Sequence, residues 1–555
     1  MIGVLCVSAV LSSCGTVWVD ALGTEDTGSD TEDTALPTDI DTETDSGTDN
    51  GFGCGENAFV SYYVDSVDGN DDNDGTSSDA PWKTLEPVNA AVFGEGTHLC
   101  FRANGSWTGE LVIQGSGTAV NPIIVSRYDV GDAPRIAADA GAEQAVLLRN
   151  TAYIEVSDLE ITNNQAGPGD YRGISVRGLD AGQIDHVYLN RLWVHDVTGQ
   201  VYWVGGDIAD NDLPWVTFAT GWDASKRTGG IVFESEVGST SESWFNDVQI
   251  EDSVISDTSF GGIVFKQLEA LGGIFAAADD TAFRPHTDIL IRGNYLSQSN
   301  ADYGCNAIYL TSVQNVVVEQ NVIRDAGVSG IQAQYTDAVT VQHNEVFGTL
   351  SKAGGLGDYG IDADRATTKT IIQYNYVHDN GQGVVLSQLG FGDAEVRYNL
   401  IVSNTEMGIN LHSGPDASSR IFNNLFYGSA PLSGTSDDDS FLNGVYPFTN
   451  NIFYAAAAGA TVRTGGTVTY TTNLFFGTDA VGDNAVTGDP LFVDIGTWPG
   501  GDESGPAFDS LSGIMVQDGS PAIDSGISMP DNGGIDFFGN ALYNNLPDIG
   551  PHEFQ

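Results

Sequence analysis

An asparagine recurs along the second half of the chain every 22 to 31 residues, always in the same apolar frame. Around Asn321, the residues five and three places before it and two places after it are Val316, Val318 and Ile323. Such a period fits one coil of a solenoid, and apolar residues two apart indicate strands with one buried face. We therefore predict an all-β, right-handed parallel β-helix. Its asparagine column comprises Asn294, Asn321, Asn344, Asn375, Asn399, Asn424, Asn451 and Asn473.

The asparagine column has a structural explanation. Asparagine tolerates the left-handed backbone conformation at a sharp bend, so we expect the asparagines themselves to adopt it. Because stacked strands lie about 4.8 Å apart, successive asparagines should also hydrogen-bond as a ladder. His195-Asp196 and His378-Asp379 occupy equivalent places in this register, matched by Arg324-Asp325 and Ser256-Asp257. That equivalence favours a role in turns over a catalytic dyad.

The N-terminal region differs in composition from the rest of the chain. Residues 1–13 form a short apolar run that resembles a bacterial lipoprotein signal peptide, in which Cys14 would be lipidated. The run is too short to span a bilayer. Residues 14–56 include a long acidic, Thr-rich stretch, which predicts a disordered linker. We assign residues 57–480 to the β-helix and 481–555 to C-terminal coils or a cap.

Charge and cysteine content narrow the possible partners and the compartment. The formal net charge is −56, with 20 Lys and Arg against 76 Asp and Glu, and such a field repels nucleic acid. Cys54 and Cys100 could pair in an oxidising compartment, which would leave Cys305 over. We expect an exported, monomeric protein that reaches a membrane only through its lipid anchor.

After the asparagine turn, each coil has a further strand that usually opens with Gly-Ile or an equivalent, as in Gly360-Ile361. Its first and third residues are apolar and should point inward, so the second and fourth should point outward. We expect a shallow, exposed surface spaced for sugar rings. The outward positions are Ser175, Val232, Val264, Tyr309, Gln332, Asp362, Val385, Asn410 and Arg177, Glu234, Lys266, Thr311, Gln334, Asp364, Ser387, His412.

Asp362 and Asp364 lie at the centre of this predicted surface. Residues two apart on a strand are separated by roughly 6.5–7 Å, which is compatible with the carboxylate spacing of an inverting glycosidase, about 6.5–9.5 Å. The pair could equally hold calcium. Lys266 lies about three coils, or roughly 14 Å, from Asp364 and next to Glu234. A solvated strand face with a Glu234–Lys266 ion pair is the alternative.

An insertion between the rungs at Leu192 and Ser253 is far longer than a coil requires, and it contains Trp222, Lys226 and Arg227. Loops on a rigid scaffold tend to carry binding functions, and aromatic side chains stack on sugar faces. The insertion could therefore wall a cleft, although packing within the loop would also explain its aromatic residues.

Several segments resemble a widespread set of bacterial right-handed β-helix proteins of the pectate-lyase-like superfamily. They are His195–Gly199 (HDVTG), Lys226–Glu234 (KRTGGIVFE), Ile250–Asp257 (IEDSVISD) and Ile371–Gly383 (IIQYNYVHDNGQG). Such folds include pectate and alginate lyases, polygalacturonases and mannuronan C5-epimerases. Tyr359–Asp364 loosely resembles the epimerase motif YGFDPHD, with Ala363 and Asp364 in place of its Pro and His. The resemblance implies an extracellular polysaccharide as partner, which could contain uronate.

Together these observations predict a lipid-anchored β-helix protein of the bacterial cell envelope, or a secreted one, that acts on an extracellular polysaccharide as a lyase or glycoside hydrolase. A noncatalytic glycan-binding or structural protein is the alternative, and a uronan C5-epimerase a further one. Asp362 and Asp364 would be acid/base groups or calcium ligands, while Arg365 and Lys266 would steer or deprotonate a uronate. The predicted substrate-binding residues are Gln332, Gln334, Tyr309, His412, Glu234, Trp222, Lys226 and Arg227.

Overall fold

The computed structural model describes residues 54, 58–167, 169–199, 201–204, 216–219, 222–268, 284–301, 304–351, 357–387, 393–412, 417–435, 444–496 and 498–555. The predicted signal peptide, Cys14 and the linker, apart from Cys54, lie outside the described residues. The described part forms a parallel β-helix, which confirms the predicted fold class.

Three long parallel sheets make up the walls of the β-helix, and most coils add one strand to each. Strands are numbered in chain order. Sheet 1 contains β1 (Val60–Val64), β2 (Thr97–Arg102), β5 (Ile123–Tyr128), β8 (Ile154–Ser157), β11 (Gly182–Asn190), β16 (Ser243–Glu251), β19 (His286–Arg292), β22 (Val313–Glu319), β25 (Asp337–Gln342), β28 (Thr370–Gln373), β31 (Asp393–Arg397), β34 (Ser418–Phe422), β37 (Tyr446–Thr449) and β39 (Val468–Thr471).

Sheet 2 follows the asparagine turn and consists mainly of strands of three to five residues. It contains β3 (Ser106–Thr108), β6 (Arg135–Ala137), β9 (Glu160–Asn163), β12 (Trp193–Val197), β17 (Val254–Thr258), β20 (Tyr295–Ser297), β23 (Val322–Arg324), β26 (Glu345–Phe347), β29 (Tyr376–His378), β32 (Leu400–Val402), β35 (Leu425–Gly428), β38 (Ile452–Ala455), β40 (Leu474–Phe476) and β41 (Val486–Thr487).

Sheet 3 carries the predicted outward columns. It contains β4 (Leu111–Ile113), β7 (Gln144–Arg149), β10 (Arg172–Gly178), β15 (Gly229–Ser235), β18 (Phe260–Lys266), β21 (Gly304–Thr311), β24 (Ser329–Gln334), β27 (Tyr359–Ala363), β30 (Gln382–Ser387), β33 (Met407–His412) and β36 (Ser433–Gly434).

The remaining elements are short. β13 (Val201–Val204) and β14 (Val216–Ala219) pair with each other in the insertion. Helix α1 (Leu85–Ala90) has Thr84 as its N-cap, and 3-10 turns occupy Trp222–Ala224, Phe508–Ser510 and Ser512–Ile514. Among the described residues, no helix has the length and hydrophobicity needed to cross a bilayer.

The asparagine ladder is present as predicted. The backbone N–H and the side-chain Nδ2 of Asn321 both donate to Oδ1 of Asn344, at 3.1 and 2.9 Å. The same pair of bonds recurs at each step from Asn294 to Asn473. Because these amides are buried, each hydrogen bond satisfies a polar group that would otherwise cost free energy. The ladder stabilises the corner between sheets 1 and 2.

The residue in the left-handed conformation is not the asparagine but the one before it, so that prediction was wrong. Gln320, His343 and Tyr374 have φ values of 55°, 52° and 55°. The Nδ2 of Asn321 donates to the carbonyl of Glu319 two residues back, and this contact closes the bend around Gln320. The aspartates at the matching positions also have positive φ, at Asp196, Asp257, Asp325 and Asp379, although Asp196 and Asp257 lie within β12 and β17.

The C-terminal segment first adds β41 to sheet 2 and then runs along the side of the β-helix. Leu511, Ile514 and Phe537 pack on Tyr374, Tyr398 and other large side chains that face away from the coil interior. The buried carboxylate of Glu345 accepts hydrogen bonds from the backbone N–H groups of Gly501 and Ala507. Because these outward-facing apolar side chains would otherwise be exposed to water, the segment packs over them on the side of the β-helix.

One disulfide ties the start of the described region to β2. It joins Cys54 and Cys100, whose Cα atoms lie 5.5 Å apart. Cys305 is free and buried.

Candidate active site

The outer face of sheet 3 brings several of the predicted site residues together. Ile308, Ile331 and Ile361 belong to the apolar core of the coil. Tyr309, Gln332 and Asp362 follow them and are Cα partners on adjacent strands, so they point away from that core.

Most of these side chains are nevertheless buried, only Gln332 being partly exposed, and the expected shallow, exposed surface was wrong. Tyr309 has no accessible surface, and Asp362 and Asp364 retain 3% and 8%. The end of the insertion covers part of the face, because Trp222 joins Tyr309 in an apolar cluster outside the coil. The Nζ of Lys226 donates to the Tyr309 hydroxyl at 3.2 Å and lies over its ring. An inserted loop, unlike strand alternation, cannot be placed from periodicity.

The two aspartates converge on one carboxamide. Nε2 of Gln332 donates to Oδ2 of Asp362 and to Oδ2 of Asp364, each at 3.1 Å. The two oxygens are therefore at most twice that distance, 6.2 Å, apart. This is closer than strand geometry alone predicted, because both side chains bend towards the same amide. Nε2 of Gln334 adds a bond to Asp364 at 3.0 Å.

The surroundings of the two carboxyl groups change their pKa values to different degrees. Burial and then the charge of Asp364 raise the pKa of Asp362 well above its ordinary value of 3.8. Burial also raises the pKa of Asp364, but the Arg365 backbone N–H, the Arg365 guanidinium and the Lys226 ammonium oppose that rise. Oδ1 of Asp362 is buried without a hydrogen-bond partner among the described residues. A proton shared by this pair is therefore favoured on Asp362.

A chain of hydrogen bonds links the insertion to Asp364. It runs from the Lys226 ammonium to the Tyr309 hydroxyl, from that hydroxyl to Oε1 of Gln334 at 3.0 Å, and from Gln334 to Asp364. Lys226, predicted only as a substrate-binding residue, therefore also helps to set the electrostatics of the carboxylates.

Lys266 does not join this group. It lies three strands from Asp364, as expected, and its ammonium donates to the backbone carbonyls of Trp222, at 2.6 Å, and Ser225. Burial lowers the pKa of Lys266 to about 7. Its contacts anchor the insertion over sheet 3, so the structure gives no support to its predicted catalytic contact with a uronate.

Glu234 is enclosed by arginines rather than paired with Lys266. The strands do place Glu234 beside Lys266, yet the Glu234 carboxylate lies 3.4, 3.3 and 3.2 Å from Arg172, Arg177 and Arg227. These guanidinium groups hold the pKa of Glu234 below its ordinary value against the effect of burial. The predicted substrate contacts of Glu234 and Arg227 are therefore replaced by an internal ion cluster.

Two other predicted residues lie at the margins of the carboxylate pair. Arg365 is exposed and follows Asp364 directly. His412 is buried on β33, beside Ser387 of β30 and two strands beyond Asp364.

Sequence reasoning missed Asn306, which belongs to the same face. Its Nδ2 donates to Oε1 of Gln332 at 2.5 Å. Strict alternation from Tyr309 places Asn306 inside the coil. However, Ala307 and Ile308 both face the core, and the bend between them turns Asn306 outward. The sequence signal for this bend is Ala307, a small residue directly before Ile308, the first large apolar residue of the strand.

The donors around the carboxylates do not suit a calcium ion between them. Gln332 and Gln334 direct N–H groups at the Oδ2 atoms, and N–H groups repel a cation that prefers oxygen ligands. In the described part of the chain, no group of three or more His, Cys, Asp or Glu side chains is arranged to hold a metal.

Comparison with known proteins supports the fold described above. A family model described as "right handed beta helix region" matches residues 237–430. A lacto-N-biosidase of Bifidobacterium longum subsp. longum is 25% identical over 83% of this chain, which spans 32% of that relative's length. The crystal structure of a GH136 lacto-N-biosidase from Eubacterium ramulus has a TM-score of 0.56 and 22% identity, covering 71% of this chain and 68% of that one. The chain is thus a right-handed parallel β-helix protein.

Proposed function

We propose that this chain is a glycoside hydrolase that cleaves a glycan with retention of anomeric configuration, using Asp362 and Asp364. One observation carries the proposal: both Oδ2 atoms lie 3.1 Å from the same amide nitrogen. Retaining enzymes hold their carboxyl groups about 5–5.5 Å apart, whereas inverting enzymes separate them by about 6.5–9.5 Å to admit a water. A limit of 6.2 Å between the inner oxygens favours the retaining arrangement.

The pKa asymmetry assigns the two roles. The positive charges of Arg365 and Lys226 oppose the rise in the pKa of Asp364, so Asp364 is the ionised nucleophile and attacks the anomeric carbon. Asp362, whose pKa is raised further, donates its proton to the leaving glycosidic oxygen. In the second step Asp362 takes a proton from water, the resulting hydroxide attacks the anomeric carbon, and the bond to Asp364 breaks.

The surrounding groups support this chemistry. Gln332 and Gln334 hold Asp364 by N–H donors that remain in place as its charge changes. The Lys226–Tyr309 pair orients Gln334 and contributes positive charge. Because burial excludes water, each of these interactions is stronger than it would be in solution.

Hydrolysis is favoured over the other candidate activities. The relationship to a protein named lacto-N-biosidase supports a glycan-acting hydrolase. A lyase or epimerase needs a base for the C5 proton, and Lys266 is held by backbone carbonyls. A purely binding protein would gain little from two buried carboxyl groups with raised pKa values, because burying them is costly.

The cellular location is a separate proposal. We propose that Cys14 carries a lipid that anchors the protein at the bacterial cell envelope, since an apolar run precedes it and an acidic, Thr-rich linker follows it. Partition of the wild-type protein into a detergent phase, and its loss in Cys14→Ser, would test this.

Incubation with a panel of neutral and uronate-containing glycans tests the proposed activity. We expect new reducing ends without a conjugated double bond, and no new reducing ends with Asp362→Asn or Asp364→Asn. A new ultraviolet-absorbing double bond would indicate a lyase and contradict the proposal, as would glycan binding without any cleavage. Addition of azide to Asp364→Ala should yield a glycosyl azide whose anomeric configuration is inverted relative to the substrate, which identifies Asp364 as the nucleophile.

A further inference from the structure

The contact of Gln332 with both aspartates depends on which end of its carboxamide faces them. The oxygen and nitrogen ends have nearly the same shape, but only the nitrogen end can donate to carboxylates. With its amide reversed, Gln332 would present Oε1 to both groups and repel the ionised carboxylate of Asp364. Some neighbouring group must therefore fix the orientation.

Asn306 is placed to do this. Its side chain is buried, and its Nδ2 donates to Oε1 of Gln332 at 2.5 Å. Its own Oδ1 accepts a hydrogen bond from Sγ of Cys305 at 3.2 Å. Donation therefore runs in one direction, from the thiol to Asn306, from Asn306 to Gln332, and from Gln332 to the carboxylates.

We propose that Asn306 is a positioning residue, which keeps the N–H groups of Gln332 turned towards Asp362 and Asp364. The proposal rests on the proposed hydrolase function for its kinetic consequences, but not for its structural ones. Asn306 does not touch the reacting carboxyl groups in this network; it acts through Gln332.

Two substitutions separate orientation from simple filling of space. Asn306→Ser removes the donor that holds Oε1 and leaves Gln332 free to turn, so kcat should fall about tenfold with little change in KM. Asn306→Asp offers only acceptors, so Gln332 should reverse and aim its oxygen at the carboxylates. We therefore expect Asn306→Asp to lower kcat further, by about a hundredfold.

A double-mutant comparison shows whether Asn306 acts through Gln332. In a Gln332→Met background, Asn306→Ser should have no additional effect on kcat.

Ser329→Ala is the matched control, because Ser329 is the Cα partner of Asn306 on the next strand and its Oγ has no hydrogen-bond partner in the described part of the chain. That variant should keep wild-type kcat and KM. Thermal unfolding checks that each variant is folded.

Hydrogen exchange of the Gln332 carboxamide, followed by nitrogen-15 NMR and assigned with Gln332→Met, supplies a readout that does not need activity. We expect slow exchange in the wild type and in Ser329→Ala, and fast exchange in Asn306→Ser. Equal exchange in wild type and Asn306→Ser would overturn the proposal, as would undiminished kcat in Asn306→Asp. Absence of any glycan cleavage by the wild type would instead refute the proposed function, while the exchange data would still decide the role of Asn306.

Discussion

Two acidic clusters lie on the same outer face of sheet 3 and are buried to a similar degree, yet their chemistry is opposite. Glu234 is surrounded by three arginines, and its pKa is held below the ordinary value. Asp362 and Asp364 receive mainly neutral amide donors, and their pKa values are raised.

The difference indicates which cluster can react. A carboxylate compensated by fixed cations stays ionised and stabilises the fold, whereas a pair held by amides keeps its proton to a higher pH than an ordinary carboxyl group does. Lys266 shows the same division, since it fixes the insertion by backbone contacts and does not approach the aspartates. Glu234 and Lys266 thus stabilise the structure around the site, and Asp362 and Asp364 perform the proposed chemistry.

The largest expected effect on this comparison comes from Asp364→Asn. Loss of the nucleophile should reduce kcat by about 10⁴-fold or more, since removal of one member of a catalytic pair can cost that much. The melting temperature should stay equal or rise, because a neutral isostere relieves the repulsion with Asp362. Glu234→Gln serves as the matched control and should retain measurable activity. Retained turnover in Asp364→Asn would remove the nucleophile assignment.

Glu234→Gln should produce the converse result. It leaves Arg172 and Arg177, both almost fully buried, without their common counterion, and breaking a buried ion pair costs about 3–5 kcal/mol. Denaturant unfolding measures this loss. Glu143→Gln, which removes the largely exposed partner of Arg177, should cost less than about 1 kcal/mol. Equal losses in the two variants would mean that the arginine cluster does not depend on Glu234.

Tyr309→Phe tests the link from the insertion to the carboxylates. It removes the hydroxyl that joins Lys226 to Gln334 while keeping the ring in its apolar cluster. We expect about a tenfold fall in kcat, measured by steady-state kinetics. Tyr398→Phe is the control, because the Tyr398 ring is buried and its hydroxyl has no hydrogen-bond partner in the described part of the chain. A fall of equal size in both variants would indicate a packing effect instead.

The pH dependence of stability should have opposite signs at the two clusters. A raised folded-state pKa means that the folded protein binds more protons, so Asp362 and Asp364 reduce stability as pH rises above their ordinary value of 3.8. A lowered pKa means that Glu234 adds stability, which is lost as pH falls below its ordinary value of 4.5. Asp362→Asn should therefore flatten the fall in melting temperature above pH 4, roughly. Glu234→Gln should flatten the loss of stability at lower pH; identical profiles for both variants would contradict the contrast.

The sequence pattern predicted the fold and the asparagine ladder because both depend on local periodicity. It placed the left-handed residue wrongly, since Gln320 and Tyr374 are not residues that favour this conformation. It identified Asp362 and Asp364 by alternation but missed Asn306, where Ala307 and Ile308 interrupt that alternation.

Burial of the site could not be predicted for a different reason. The cover comes from an insertion whose path is not part of the coil repeat, and the counterions of Glu234 come from Arg172, Arg177 and Arg227. Contacts between side chains on different strands, or between a strand and an inserted loop, are not encoded in the spacing of residues along the sequence. Periodicity therefore located the candidate site, while the tertiary contacts determined its chemistry.

The stereochemistry of the first product tests the central claim most directly. Proton NMR of the reaction mixture at early times distinguishes the anomers before they equilibrate. The close spacing of the two aspartates on Gln332 predicts that the first-formed sugar keeps the anomeric configuration of the substrate. A product of inverted configuration would contradict the account.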